Sequence, residues 1–136
     1  YFSASLGGAQ RAGQIFKYVP DVADANRGML VLSLEVADRA VVSCPDNLLV
    51  TPWNELLMAE DNYMAGGGCT HQHLRVMTKN GEIYDLARNR RNFPEKSRAG
   101  AEFTGACFSP DGQYLFVNMQ KPEHLTLAIS GPWKTA

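Results

Sequence analysis

The side chains of this sequence best suited to chemistry are carboxylates and amides placed against apolar runs. In "PDNLLVTPWNELLMAEDN", residues 45–62, four apolar residues (Leu56, Leu57, Met58, Ala59) lead straight into Glu60 and Asp61, and Asp46 and Asn47 stand just before the preceding apolar run. Glu102 holds a comparable place ahead of a later one. Carboxylate and amide oxygens are the donors a hard cation such as Ca²⁺ takes, and carboxylates buried without a cation would be costly. The same residue types also populate solvated turns. Composition therefore leaves two readings open: a cation-holding rim or exposed turn residues.

Other groups are less specific. His71 and His73 in "HQH" would share one face of a strand, a spacing that suits Zn²⁺ or iron, yet no third ligand follows nearby, and polar strand-edge histidines are the plainer reading. "GGGCT" (66–70) lacks the Lys-Ser/Thr and the helix of a phosphate-cradling loop. "ARNRRNFPEKSR" (87–98) carries Arg88, Arg90, Arg91, Lys96 and Arg98. Arginine forks can grip phosphate, and a solvated loop has the same composition. Ser109 sits in a turn signature, so no Ser-His-Asp set can be built on it. Cys44, Cys69 and Cys107 are scattered, with no C-x-x-C pair, and read most simply as small core residues.

The elements that must position these residues read as strands. Aromatic, β-branched or alternating runs occur at 1–5, 14–19, 29–36, 48–51, 56–60, 73–78, 82–87, 106–109, 114–118 and 125–130. Asn80-Gly81 and "PDG" at 110–112 are turn signals needing φ > 0. "ELLMAEDNYMA" has some helical propensity, but a repeat argues for a strand. "LVTPWNELLMAE" (49–60) superimposes on "CFSPDGQYLFVN" (107–118) with Pro52 on Pro110, an offset of 58 residues. Both units run apolar strand, Thr or Ser, Pro, short turn, apolar strand. Glu55, in the first turn, is expected to face water.

Short antiparallel strands repeating at this spacing predict propeller blades, with a β-sandwich as the simpler alternative. The expected fold is all-β, about two and a half blades of a β-propeller, with blade parts near 1–36, 44–88 and 102–133 of a single segment 1–136. The first part shows three strands and the last one three, and the chain begins at Tyr1 without an initiator Met. Both features are expected of the C-terminal portion of a larger propeller. At 45% hydrophobic the chain supports one ordinary core. A net charge of −1 gives no nucleic-acid footprint or polybasic membrane patch, and no apolar run approaches the roughly 18–20 residues that span a bilayer.

The stretches "YFSASLGGAQRAGQIFKYVP", "CPDNLLVTPWNELLMAEDN", "HLRVMTKNGEIYDLARN" and "AEFTGACFSPDGQYLFVNMQKPEHLTLAISGPW" together resemble the C-terminal part of PhoX-type bacterial alkaline phosphatases, a family of secreted β-propeller enzymes. The last is the most specific, because Glu-Phe-x-Gly, Ser-Pro-Asp-Gly, Phe-Val-Asn and the terminal Gly-Pro-Trp occur together. The resemblance implies hydrolysis of phosphomonoesters with calcium and iron as cofactors, and export to the periplasm or beyond. Carried over onto this chain, it implies that Glu60 is the first candidate metal ligand and Glu102 the next, with Asp46, Asn47 and Asp61 matching the motifs. The family's site also uses a cysteine upstream of the matched region. No role transfers to Cys44, Cys69, Cys107, His71 or His73, and no catalytic or substrate-binding residue is implied.

The chain is thus expected to supply part of a metal site and to be inactive by itself. Its expected partners are a phosphate-ester substrate and the remaining blades. A non-catalytic propeller segment, serving binding or structure, is the alternative. The partial outer blades are expected to expose strand edges and to make the isolated chain marginal or prone to associate.

Overall fold

A computed structural model describes residues 1–61, 71–90, 101–120 and 124–133. The described residues contain ten β-strands and no helix, in three antiparallel sheets. The first sheet joins β1 (Phe2–Ala4), β2 (Gln14–Pro20) and β3 (Gly28–Glu35). The second joins β4 (Pro45–Val50), β5 (Leu56–Glu60), β6 (His73–Met77) and β7 (Ile83–Arg88). The third joins β8 (Phe103–Phe108), β9 (Tyr114–Met119) and β10 (Leu125–Ser130). This is the all-β, blade-by-blade arrangement expected of a partial propeller. No described helix is long and apolar enough to cross a membrane.

The second sheet is covered on both faces, which explains the unbroken apolar run in β5. Successive strand residues point to opposite faces. Leu56 and Met58 enter a core with Ala12, Ile15 and Val36 of the first sheet and its connections, along with Met77. Leu57 and Ala59 enter a second core with Phe103, Leu115, Val117 and Met119 of the third sheet, along with Leu74 and Val76. Each fully buried leucine or valine contributes roughly 1.5–3 kcal/mol relative to exposure, so these two layers bind the three sheets together. The outer face of the first sheet is different. Phe2, Phe16 and Leu32 pair across β1, β2 and β3, Tyr18 pairs with Leu30, and Phe2, Tyr18, Leu30 and Leu32 are exposed. Phe2 and Phe16 stack at 5.4 Å.

The 58-residue offset is a repeat of geometry as well as of sequence. In the β4–β5 hairpin, the Asn54 amide donates to the Thr51 carbonyl, and Asn54 has φ +61°. In the β8–β9 hairpin, the Gly112 amide donates to the Ser109 carbonyl, and Gly112 has φ +70°. Asparagine tolerates the left-handed conformation that glycine adopts freely, so both sequences make the same turn. The β6–β7 hairpin repeats it between Thr78 and Gly81.

Glu55 does not face water as expected. Its Oε2 accepts from Trp53 Nε1 and from Tyr84 Oη, both at 2.8 Å. Trp53 in turn stacks on Trp133 at 5.9 Å, and Phe108 meets both rings edge-on at 5.5 Å. Trp133 Nε1 donates to the Gln113 carbonyl at 2.7 Å. The Gly-Pro-Trp segment therefore clasps the second and third sheets at their hairpin ends. Aromatic pairs add about 0.5–1.5 kcal/mol each beyond burial and a hydrogen bond about 1 kcal/mol. Trp133→Ala is expected to cost about 2–3 kcal/mol in urea unfolding. A midpoint equal to the parent's would show that the clasp is ornamental.

Three differences from the sequence reading affect the rim. β4 begins at Pro45, so Asp46 and Asn47 lie inside the strand rather than ahead of it. β8 begins at Phe103, because a bulge at Gly105 (φ +61°) carries the strand past the break in the apolar pattern. His71 precedes β6, so the two histidines do not share a strand face.

Candidate functional site

β4 lies between β1 and β8 and contacts both, so the first strands of the three sheets are neighbours. Polar groups make these joints. Ser3 Oγ donates to the Asp46 carbonyl at 2.9 Å. Asn47 Oδ1 accepts from Thr104 Oγ1 and from the Gly105 amide, both at 3.2 Å. The β8 bulge exposes the Gly105 amide for that bond. A second bulge interrupts the β4–β5 ladder between Pro45 and Asn47, leaving Asp46 as the extra residue. Bulges re-aim side chains and are frequent beside active sites. Asp46 is exposed, and its Oδ2 accepts from Asn47 Nδ2 at 3.2 Å.

At the end of β5, strand alternation separates the two adjacent carboxylates. Glu60 continues the Leu56–Met58 face, and Asp61 continues the Leu57–Ala59 face, toward the third sheet. Glu60 is 1% exposed. Its Oε1 accepts from the Ser43 amide at 2.9 Å and from Arg75 Nε at 3.1 Å. Its Oε2 accepts from the His73 amide at 3.1 Å and lies 2.9 Å from His73 Nδ1. Arg75 also donates to Asp85 and, at 3.3 Å, to the Ala40 carbonyl. The protein itself thus satisfies this buried carboxylate, as buried charges require.

The other carboxylates meet on the opposite side. Burial pushes the Glu102 carboxyl up, and the charges of Asp61 and then Asp46 push it further, to about 7. Glu102 is partly buried, and its carbonyl accepts from the Gln120 amide at 3.0 Å. Asp61 is fixed by its amide, which donates to the Cys44 carbonyl at 2.9 Å. Asp61 at the end of β5 and Asp46 on β4 therefore lie near enough to Glu102, at the start of β8, for their charges to act on it. Hard oxygens carrying excess negative charge fit a hard cation in chemistry. Among the described residues no group of three His, Cys, Asp or Glu side chains is arranged to hold a metal ion.

The sequence-level candidates therefore divide. Asp46 and Asp61 act through their charges on Glu102, Asn47 staples the second sheet to the third, and Glu60 is the centre of a separate buried network. Little in the sequence signals that network. Its one sequence signal is Arg75, an arginine inside the apolar run of "HLRVM". Cys44 is buried with φ +50°, and its Sγ lies 3.5 Å from Arg39 Nη1, while Cys107 is exposed on β8. Among the described residues these two form no disulfide. Arg88 and Arg90 are exposed. Cys69, the glycine run at 66–68, Arg91, Lys96 and Arg98 lie outside the described residues.

The family model for alkaline phosphatase PhoX matches residues 3–123. No curated protein and no solved structure matches the chain.

Proposed function

The chain belongs to the PhoX alkaline phosphatase family, and from that premise we propose that it forms part of a metal-dependent phosphomonoesterase and contributes one wall of its cation site. The observation that carries this reading is the placing of Asp61 and Asp46 beside Glu102: burial first, and then their two charges, raise its carboxyl to about 7. A bound cation would relieve that repulsion. Calcium suits the donor set, because all three donors are hard oxygens. Iron, the second metal of the resemblance, would draw on further donors. Bound there, a cation supplies charge neutralisation for a phosphoryl oxygen. The chain's own residues would position the donors: the Asp46 bulge one, the hydrogen bond from the Asp61 amide to the Cys44 carbonyl a second, and the start of β8 the third.

The remaining features follow from the same premise. The exposed stripe of Phe2, Tyr18, Leu30 and Leu32 is the face that a further blade would cover. The substrate is a phosphate ester, and the working compartment is the periplasm or the exterior. A second reading, a propeller segment serving binding or structure, draws support from the incomplete ligand set among the described residues.

Calorimetric titration with Ca²⁺ separates the two. Saturable binding by the 136-residue chain, lost in Asp61→Asn and in Glu102→Gln, is expected. The chain alone is expected to show no hydrolysis of p-nitrophenyl phosphate, since isolated parts of a metal site contribute little. Heat signals identical in the parent and both variants would leave the structural reading standing.

A further inference from the structure

We infer that Arg75 is a positioning residue for the acidic rim, acting through Glu60; this rests on the cation-site reading above. Arg75 is 9% exposed and spans three elements. Its Nε holds Glu60 Oε1 at 3.1 Å, one Nη holds Asp85 on β7, and the other reaches the Ala40 carbonyl at 3.3 Å. The Glu60 oxygen that it holds also accepts from the Ser43 amide at 2.9 Å. Arg75 therefore grips the connection between β3 and β4 twice, directly at Ala40 and through Glu60 at Ser43.

That connection delivers the rim. Ser43 is followed by Cys44, whose left-handed backbone (φ +50°) turns the chain into β4. The Cys44 carbonyl accepts the Asp61 amide at 2.9 Å, and Pro45 pairs with Glu60. Asp46 follows as the bulged residue. Asp61 thus directly follows Glu60, and Asp46 stands three residues after the Ser43 amide that Glu60 holds. A buried ion pair is roughly neutral for stability against well-packed apolar residues, so core packing alone does not call for an arginine here. Its planar fork can hold three partners in fixed directions, which a lysine cannot.

The test compares Arg75→Met and Arg75→Lys with the parent chain by Ca²⁺ titration well below each melting temperature. Residues that orient metal ligands typically change affinity by about 10–100-fold. A loss in that range is expected in Arg75→Met, with little recovery in Arg75→Lys although the charge returns. Affinity within twofold of the parent in a folded Arg75→Met would overturn the inference. Should Arg75→Met fail to fold, Arg75→Lys carries the same criterion. Should the parent bind no Ca²⁺, the cation reading fails by itself, and the amide resonances of Asp46 and Asp61 decide the positioning role. Displacement of both in either variant supports it, and unmoved resonances refute it.

Discussion

Glu60→Gln is expected to lower the unfolding free energy by about 3–5 kcal/mol, the usual cost of removing one partner from a buried ion pair. The substitution is nearly isosteric, so packing does not account for the loss. The reason is the polarity of the partners. Both oxygens of Glu60 face donors: the Ser43 amide and Arg75 Nε on one, the His73 amide on the other. A glutamine supplies one acceptor and one NH₂, and whichever way it turns, its NH₂ meets a buried N–H. Arg75 also loses one of the carboxylates balancing its charge, retaining Asp85. Urea unfolding followed by tryptophan fluorescence measures the effect. Glu82→Gln is the control, because Glu82 is exposed in the β6–β7 hairpin, and such surface changes stay within about 0.5 kcal/mol. An unchanged midpoint in Glu60→Gln with a collapse of Ca²⁺ affinity would instead make Glu60 a cation ligand, the role that the family resemblance implies for it.

That contrast shows where sequence reasoning reached and where it stopped. The ten strands were legible because apolar runs and turn residues are local signals. The 58-residue repeat carried the hairpin geometry, since Asn54 and Gly112 both tolerate positive φ. The grouping of Asp46, Asp61 and Glu102 was half legible. Their matching positions in consecutive repeats suggested one rim, but the Asp46 bulge is a pairing irregularity with no turn signal of its own. The direction of Glu60 was in principle readable from period-two alternation, which puts adjacent carboxylates on opposite faces. What alternation did not reveal is which face held donors. The partners of Glu60 come from residue 43, 17 positions away, and from residues 73 and 75 across a connection. Glu55 fails for the same reason: a turn residue looks solvated until Trp53 and Tyr84 fold onto it.

Cation binding at the rim is expected to strengthen about tenfold for each unit that the pH rises toward 7, because one carboxyl must give up its proton for each cation bound. Glu102 is that carboxyl. Burial first, then the Asp61 and Asp46 charges, raise it from 4.5 to about 7. The sign for the cation-free chain follows. Between about 4.5 and 7 the folded state holds a proton that the unfolded state has released, so stability falls as pH rises through this window and levels off above it. Below about 4.5 both states are protonated and the penalty is absent. Saturating Ca²⁺ reverses the trend, since it binds the deprotonated rim and stabilises the fold by mass action. Melting temperature against pH, with chelator and with Ca²⁺, should give curves that diverge across this window. Titration at pH 6 in two buffers of different ionisation enthalpy should show about one proton released per cation. Glu102→Gln should flatten the chelator curve and abolish the proton release. Parallel curves and no proton release in the parent would mean that the three carboxylates lie too far apart, or too wet, to feel one another, and the rim would then be a solvated edge of the propeller.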